Sequence, residues 1–165
     1  MSQASSGARI GVFVCHCGGN IADVVDVHHV AEEVGKLPGV VLATTHMFVC
    51  SDPGQALVES WFKEHGLNRV IVAACSPTLH QMTFRRAIER AGLNQFLFEH
   101  VNVREQVSWV TEDPVGATAK ATRLVTAAVQ RAHHLTALDK RRIAIEPAAL
   151  VIGGGVAGMV AARDL

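Results

Sequence analysis

The chain has no excess of charge of either sign: fifteen Lys and Arg balance fifteen Asp and Glu among 165 residues. Without a basic patch there is no electrostatic footprint for nucleic acid, and none for an anionic membrane surface. Long apolar runs are also missing. Hydrophobic residues make up 49% of the sequence, yet no run approaches the roughly 20 residues that a membrane span requires. The opening MSQASSGAR lacks the charged and apolar regions of a secretory signal. These absences point to the cytoplasm, where thiols are kept free or bound to metal rather than paired as disulfides.

What is present centres on residues 10–21, IGVFVCHCGGNI. An uncharged β-branched run reads as a strand buried on both faces, and Gly18-Gly19 as the turn that releases it. VVLATTHMFVC, ending at Cys50, and RVIVAAC, ending at Cys75, repeat the plan. All four cysteines therefore fall at or just after the C-terminal end of an expected strand. Strands alternating with helices give a parallel sheet, whose C-terminal strand ends share the edge where ligands bind. The ordinary role of any single cysteine is that of a small buried apolar residue; four at strand ends point to a common site.

In chain order, residues 1–8 are expected to be a disordered tail, followed by a strand at 10–14. Asp26 can cap a helix over 27–36 that Pro38-Gly39 close. A strand at 40–49 precedes a helix over 52–65, opened by Pro53 and stopped by Gly66. A third strand at 69–74 leads into a helix over 77–91, ended by Gly92. Residues 95–101 read as a fourth strand, and NVREQVSWVTEDP as a loop or short helical turn. Pro114 opens the longest helix, to about residue 138. The expectation is a three-layer α/β domain over 9–138, with a mainly parallel, flavodoxin-like or Rossmann-like sheet of four or five strands.

After a charged linker at 139–147 the character changes. Residues 148–165, AALVIGGGVAGMVAARDL, read as a strand, a glycine turn and the start of a helix. Gly153, Gly155 and Gly158 fit G-x-G-x-x-G, which lets the backbone approach a pyrophosphate at a helix N-terminus. The acidic ribose-binding residue expected about 20 positions on lies beyond Leu165. This is read as the first βα unit of a truncated FAD-binding domain.

CHCGGNI, CSDPGQ, ACSPTLH, AGLNQFLFEHVNVREQVSW and VIGGGVAGMVAA, in this order, resemble the N-terminal region of the A-type subunit of heterodisulfide reductase and related Hdr-like flavoproteins. The resemblance covers nearly the whole chain. It implies a longer protein that holds FAD in a thioredoxin-reductase-like domain, carries ferredoxin-type iron-sulfur modules and passes electrons to other subunits, with a homodimer as the full-length form. In the best-known members the flavin splits electron pairs, which nothing in these 165 residues shows. The pattern differs at Val107, where the family often has cysteine, at Thr111, where it often has histidine, and at Gln81-Met82, where Glu-Pro often stands.

The leading expectation is one [4Fe-4S] cluster ligated by Cys15, Cys17, Cys50 and Cys75. Backbone N–H groups of the Gly18-Gly19 turn and of the helix starts at Pro53 and Pro77 would donate toward its sulfurs. The spacing is not the compact C-x₂-C-x₂-C run of ferredoxins, nor does it hold the paired knuckles of zinc sites. The alternative is a docking and dimerisation module with structural cysteines, in which Trp61 and Trp109 anchor an interface. A thiol enzyme using Cys15 or Cys17 with His16 or His80 as base ranks lower, because no histidine is singled out. His28-His29 and His133-His134 are adjacent on expected helices, point about 100° apart, and read as surface residues. Arg104, Glu105, Gln106 and Trp109 resemble a family motif and have no evident local role, which hints at packing against the cysteine edge or the next domain, with helix capping and surface as the alternative. The chain is not expected to be catalytic alone.

Overall fold

A computed structural model describes residues 7–139 and 141–165. Residues 1–6 of the expected tail and Lys140 of the linker lie outside the described residues; Gly7 is tied down, its carbonyl accepting from Asn68 Nδ2 at 3.2 Å.

Four strands, β1 (Ile10–Cys15), β2 (Val40–His46), β3 (Arg69–Ala74) and β4 (Phe98–Asn102), form one sheet in the order β2-β1-β3-β4. Every pairing is parallel, with Cys15 level with His46 and Val14 level with Ala73. The three-layer α/β architecture follows from the alternation of side chains along the central strands. Val12, Val14, Ile71 and Ala73 face one core, closed by α1 (Val27–Gly35) and α4 (Pro114–Ala132). Phe13, Cys15, Val70, Val72 and Ala74 face the other, closed by α2 (Asp52–Glu64) and α3 (Pro77–Ala91). Because β1 and β3 are covered on both faces, they read as unbroken apolar runs.

The helix starts follow from side-chain caps. Asp26, Ser51, Ser76 and Asp113 each accept from a backbone N–H in the first turn of their helix. Three ends fall short of expectation, each for a local reason. β2 stops at His46, whose Nδ1 accepts from the Phe48 N–H at 3.1 Å and turns the chain. β4 starts at Phe98 because Asn94 Oδ1 accepts from the Phe96 N–H at 3.0 Å, an Asx turn that uses the preceding residues. The last long helix, α4, ends at Ala132 rather than near 138, because Arg69 takes the carbonyls of Ala132 (3.2 Å) and Leu135 (2.8 Å).

Residues 148–152 form no strand, since no neighbouring strand is available to take their hydrogen bonds. The glycine turn and α5 (Val156–Asp164) do form. Gly153 has φ +117°, and a Cβ on Gly158 would overlap the Gly153 carbonyl. The first and third glycines of the motif thus serve the turn and the close packing of the helix start.

His100 on edge strand β4 is buried edge-on against Phe84, 5.3 Å between ring centres, and neither ring nitrogen has a well-formed hydrogen bond. Burial pulls its pKa down to about 4; the Cys75 backbone facing the ring opposes this, and His80 adds to it. A folded-state pKa below the ordinary value near 6.5 means that the unfolded chain takes up the proton first. The stabilisation is therefore whole above about pH 6.5 and is lost as the pH falls toward 4. Urea unfolding at about pH 7 and about pH 4 should show the wild-type losing about 3 kcal/mol more than His100→Phe; equal losses would remove His100 as the cause.

Candidate functional site

In this strand order the chain leaves β1 toward β2 on one side and returns to β3 on the other, so the crevice at a change of direction opens above β1 and β3. Cys15 is the last residue of β1, Cys17 follows two positions later, and Cys75 directly follows β3. Cys50 is reached differently from the expectation: β2 has already ended, and Cys50 sits in the turn before α2.

The CHCGGN segment is a tight 3-10 turn, Cys17–Gly19. Cys17 itself has a positive φ of 55°, a strained setting for a residue with a side chain. Gly18, at φ +62°, leaves room for Phe48, whose ring would lie 2.7 Å from an added Cβ. The CSDPGQ segment is equally determined. Ser51 caps α2, Gln55 Nε2 donates to the Cys50 carbonyl at 2.9 Å, and a Cβ on Gly54 would stand 2.6 Å from the Val49 carbonyl oxygen. Gly54 thus lets the start of α2 press directly on the strand-end turn.

The four thiols share one edge: Cys15 and Cys17 leave β1, Cys75 follows the neighbouring strand β3, and Val49, next to Cys50, donates its N–H to Cys15 Sγ. The donors at the sulfurs differ from those expected. Cys15 Sγ accepts from the N–H of Cys17 at 3.3 Å and of Val49 at 3.5 Å. The Gly18 and Gly19 N–H groups go instead to the carbonyls of Met47 and His16, and the Gly54 N–H to Ser51 Oγ. Burial nevertheless pushes the Cys15 thiol up, and pushes Cys75 to about 11; at Cys75 the Arg104 charge acts in the opposite direction.

A further element comes from the segment after β4. Residues Arg104–Ser108 form a π-helical turn, held because Asn102 Oδ1 accepts from the N–H groups of Arg104 (3.2 Å) and Glu105 (3.0 Å). Ser108 Oγ donates to the Asn20 carbonyl at 2.7 Å and fastens this turn to the CHCGGN loop. Arg104 Nη1 then reaches Cys17 Sγ at 3.3 Å. Val107 lies on the inner side of the turn, fully buried against the α1 and α4 core.

Other sequence readings are sorted by the geometry. Trp61 packs against Phe13, 6.4 Å between ring centres, and anchors α2 to the sheet. Trp109 is 57% exposed beside the cysteine edge. His28, read as plain surface, meets His16 at 5.2 Å, and burial, His28 and His46 lower the basicity of His16. No signal in the sequence joins these three, since loop geometry brings them together. Among the described residues no three His, Cys, Asp or Glu side chains are arranged to hold a single metal ion.

No family model matches the chain. Curated relatives do. It is 56% identical over 158 residues, 95% of its length, to the A-type subunit of the H(2):CoB-CoM heterodisulfide,ferredoxin reductase of Methanothermobacter thermautotrophicus. It is 53% identical over 164 residues, 99% of its length, to the second iron-sulfur A-type subunit of the CoB–CoM heterodisulfide reductase of Methanopyrus kandleri. Over this stretch the chain is homologous to the A-type subunit of heterodisulfide reductase. The corresponding subunit of the ferredoxin:CoB-CoM heterodisulfide reductase of Methanosarcina mazei is 49% identical over 158 residues, 95% of the chain and 20% of the relative. The chain spans about a quarter of the length of the first two relatives, 24% and 25%. Among the described residues no helix is long and apolar enough to cross a membrane.

Thiol reactivity tests the geometry directly. Cys15 and Cys75 are buried, whereas Cys17 and Cys50 are partly open. In cluster-free protein under reducing conditions at about pH 8, iodoacetamide should label Cys17 and Cys50 well before Cys15 and Cys75, as read by peptide mass spectrometry. Equal labelling of all four would show that the edge is open.

Proposed function

We propose that Cys15, Cys17, Cys50 and Cys75 hold one [4Fe-4S] cluster at the C-terminal edge of the sheet. This makes the chain the electron-transfer part of a heterodisulfide-reductase-like iron-sulfur flavoprotein. The observation that carries the reading is the gathering of the four cysteines at one edge, Cys15 and Cys17 leaving β1, Cys75 following the adjacent β3 and Cys50 in the turn before α2, with two N–H groups and a guanidinium donating to sulfur. The donor set fits the group: four thiolates are the usual ligands of such a cluster, and hydrogen bonds to sulfur stabilise its negative charge. Burial holds the Cys15 and Cys75 thiols protonated, so binding a cluster there would release protons.

When bound, the cluster accepts and releases one electron at a time. The protein's own residues do the rest. Cys15 is held in the sheet and Cys17 on a strained turn, Gly54 brings the α2 start against the Cys50 turn, and the two helix starts direct their positive dipole ends toward the edge. FAD belongs to the longer protein: Gly153, Gly155 and Gly158 would receive its pyrophosphate once a complete domain surrounds them.

Met47, Phe48, Leu79, Met82, Trp109 and Val110 are exposed on the segments that leave the sheet at the cysteine edge. This apolar rim favours docking of further redox subunits there. It also motivates the second reading, a docking and dimerisation module whose cysteines are structural. One experiment separates the two. Protein purified without oxygen and reconstituted should contain about four irons and four sulfides per chain, with an EPR signal after dithionite that is lost in Cys50→Ser and in Cys75→Ser. Protein without iron, whose four-serine variant still folds and assembles, would establish the docking module instead.

A further inference from the structure

We infer that Arg104 sets the reduction potential of this centre by holding a fixed positive charge against the Cys17 sulfur. The inference rests on the cluster reading above and concerns a residue that is not a ligand.

The geometry is specific. Arg104 Nη1 donates to Cys17 Sγ at 3.3 Å, while Nε and Nη2 both donate to Glu105 Oε1, at 3.2 and 2.8 Å. The guanidinium lies over the Trp109 ring, 4.6 Å from its centre, and the Arg104 side chain is only 16% exposed. Its backbone belongs to the π turn that Asn102 and Ser108 pin on either side. The charge is therefore immobile and little screened by solvent.

The consequence has a definite sign. Reduction adds one electron, and so one negative charge, to a centre that four thiolates already make anionic. A neighbouring cation favours the reduced form and raises the potential, whereas a carboxylate lowers it. Glu105 is that carboxylate. It orients the guanidinium and offsets part of its charge. A lysine would not reproduce the arrangement, because the planar fork bonds Cys17 and Glu105 while stacking on Trp109.

EPR-monitored redox titration of the reconstituted protein tests this, with iron and sulfide content measured on each sample. Arg104→Gln should lower the midpoint: at the wild-type midpoint, the ratio of reduced to oxidised cluster should fall about tenfold, a one-electron shift of about 59 mV. Glu105→Gln, which can still accept from Arg104, should shift the midpoint upward. Opposite signs from adjacent residues are not what loosened packing produces. A loaded Arg104→Gln protein with an unchanged midpoint overturns the inference and leaves the cluster reading standing. If Arg104→Gln fails to load, Glu105→Gln decides, and a midpoint at or below wild-type overturns the inference. Wild-type protein without iron and sulfide overturns the cluster reading, and this inference with it.

Discussion

The parallel pairing of β1 with β3 is the constraint on which everything else depends. It brings Cys15 and Cys17 beside Cys75, although about 60 residues separate them in the chain, and it does so at the point where the strand order reverses. The pairing is secured from both faces. Val12, Val14, Ile71 and Ala73 pack under α1 and α4, and Phe13, Val70 and Val72 under α2 and α3. A one-residue slip of β1 against β3 would exchange these two sets and place Cys15 among the residues that now face α1. The position of the thiols is therefore fixed by the hydrophobic core, which leaves the loops free to specialise.

That division of labour explains what was legible in the sequence. The central strands and the helices after Ser51 and Ser76 could be read almost to the residue, because unbroken β-branched runs and Ser-x-Pro or Ser-Pro caps are local signals. The ends that were misplaced are those set by partners distant in sequence or by a single side chain. α4 stops where Arg69 takes the carbonyl of its last residue, Ala132, and that of Leu135 just beyond it, 63 and 66 positions away. β2 stops where His46 accepts from a backbone N–H two residues on. The thiol edge was visible from cysteine placement, but the donors at its sulfurs were not. Tight-turn geometry turns the glycine N–H groups to carbonyls and leaves Val49 and Cys17 to face Cys15.

Arg104, Glu105 and Trp109 show the limit most clearly. As residues of a polar loop they carry no periodicity and no cap signature, and only the family resemblance of their segment and their lack of a local role marked them. The fold gives them one through two small polar residues. Asn102 holds the π turn open, and Ser108 fastens it to the Asn20 carbonyl beside Gly19. The charge at Cys17 is thus delivered by a segment more than 80 positions away in the chain. π turns of this kind are frequent at functional sites because they redirect a backbone without ending its hydrogen bonding.

Val107 completes the account of this turn. It occupies its inner side, fully buried among residues of α1 and α4, and contributes to the core rather than to the edge. Val107 is therefore no donor, and the proposed cluster rests on the four thiols, three at or just beyond the ends of β1 and β3 and Cys50 in the turn before α2. For the proposed cluster, ligands placed by a packed sheet would need little reorganisation when their charge changes, as electron transfer requires. The strain concentrated at Cys17, with its positive φ, is stabilised by that same core and by the two hydrogen-bonded turns that meet there. Packing thus determines where the sulfurs stand, and the loops around them determine the field in which they work.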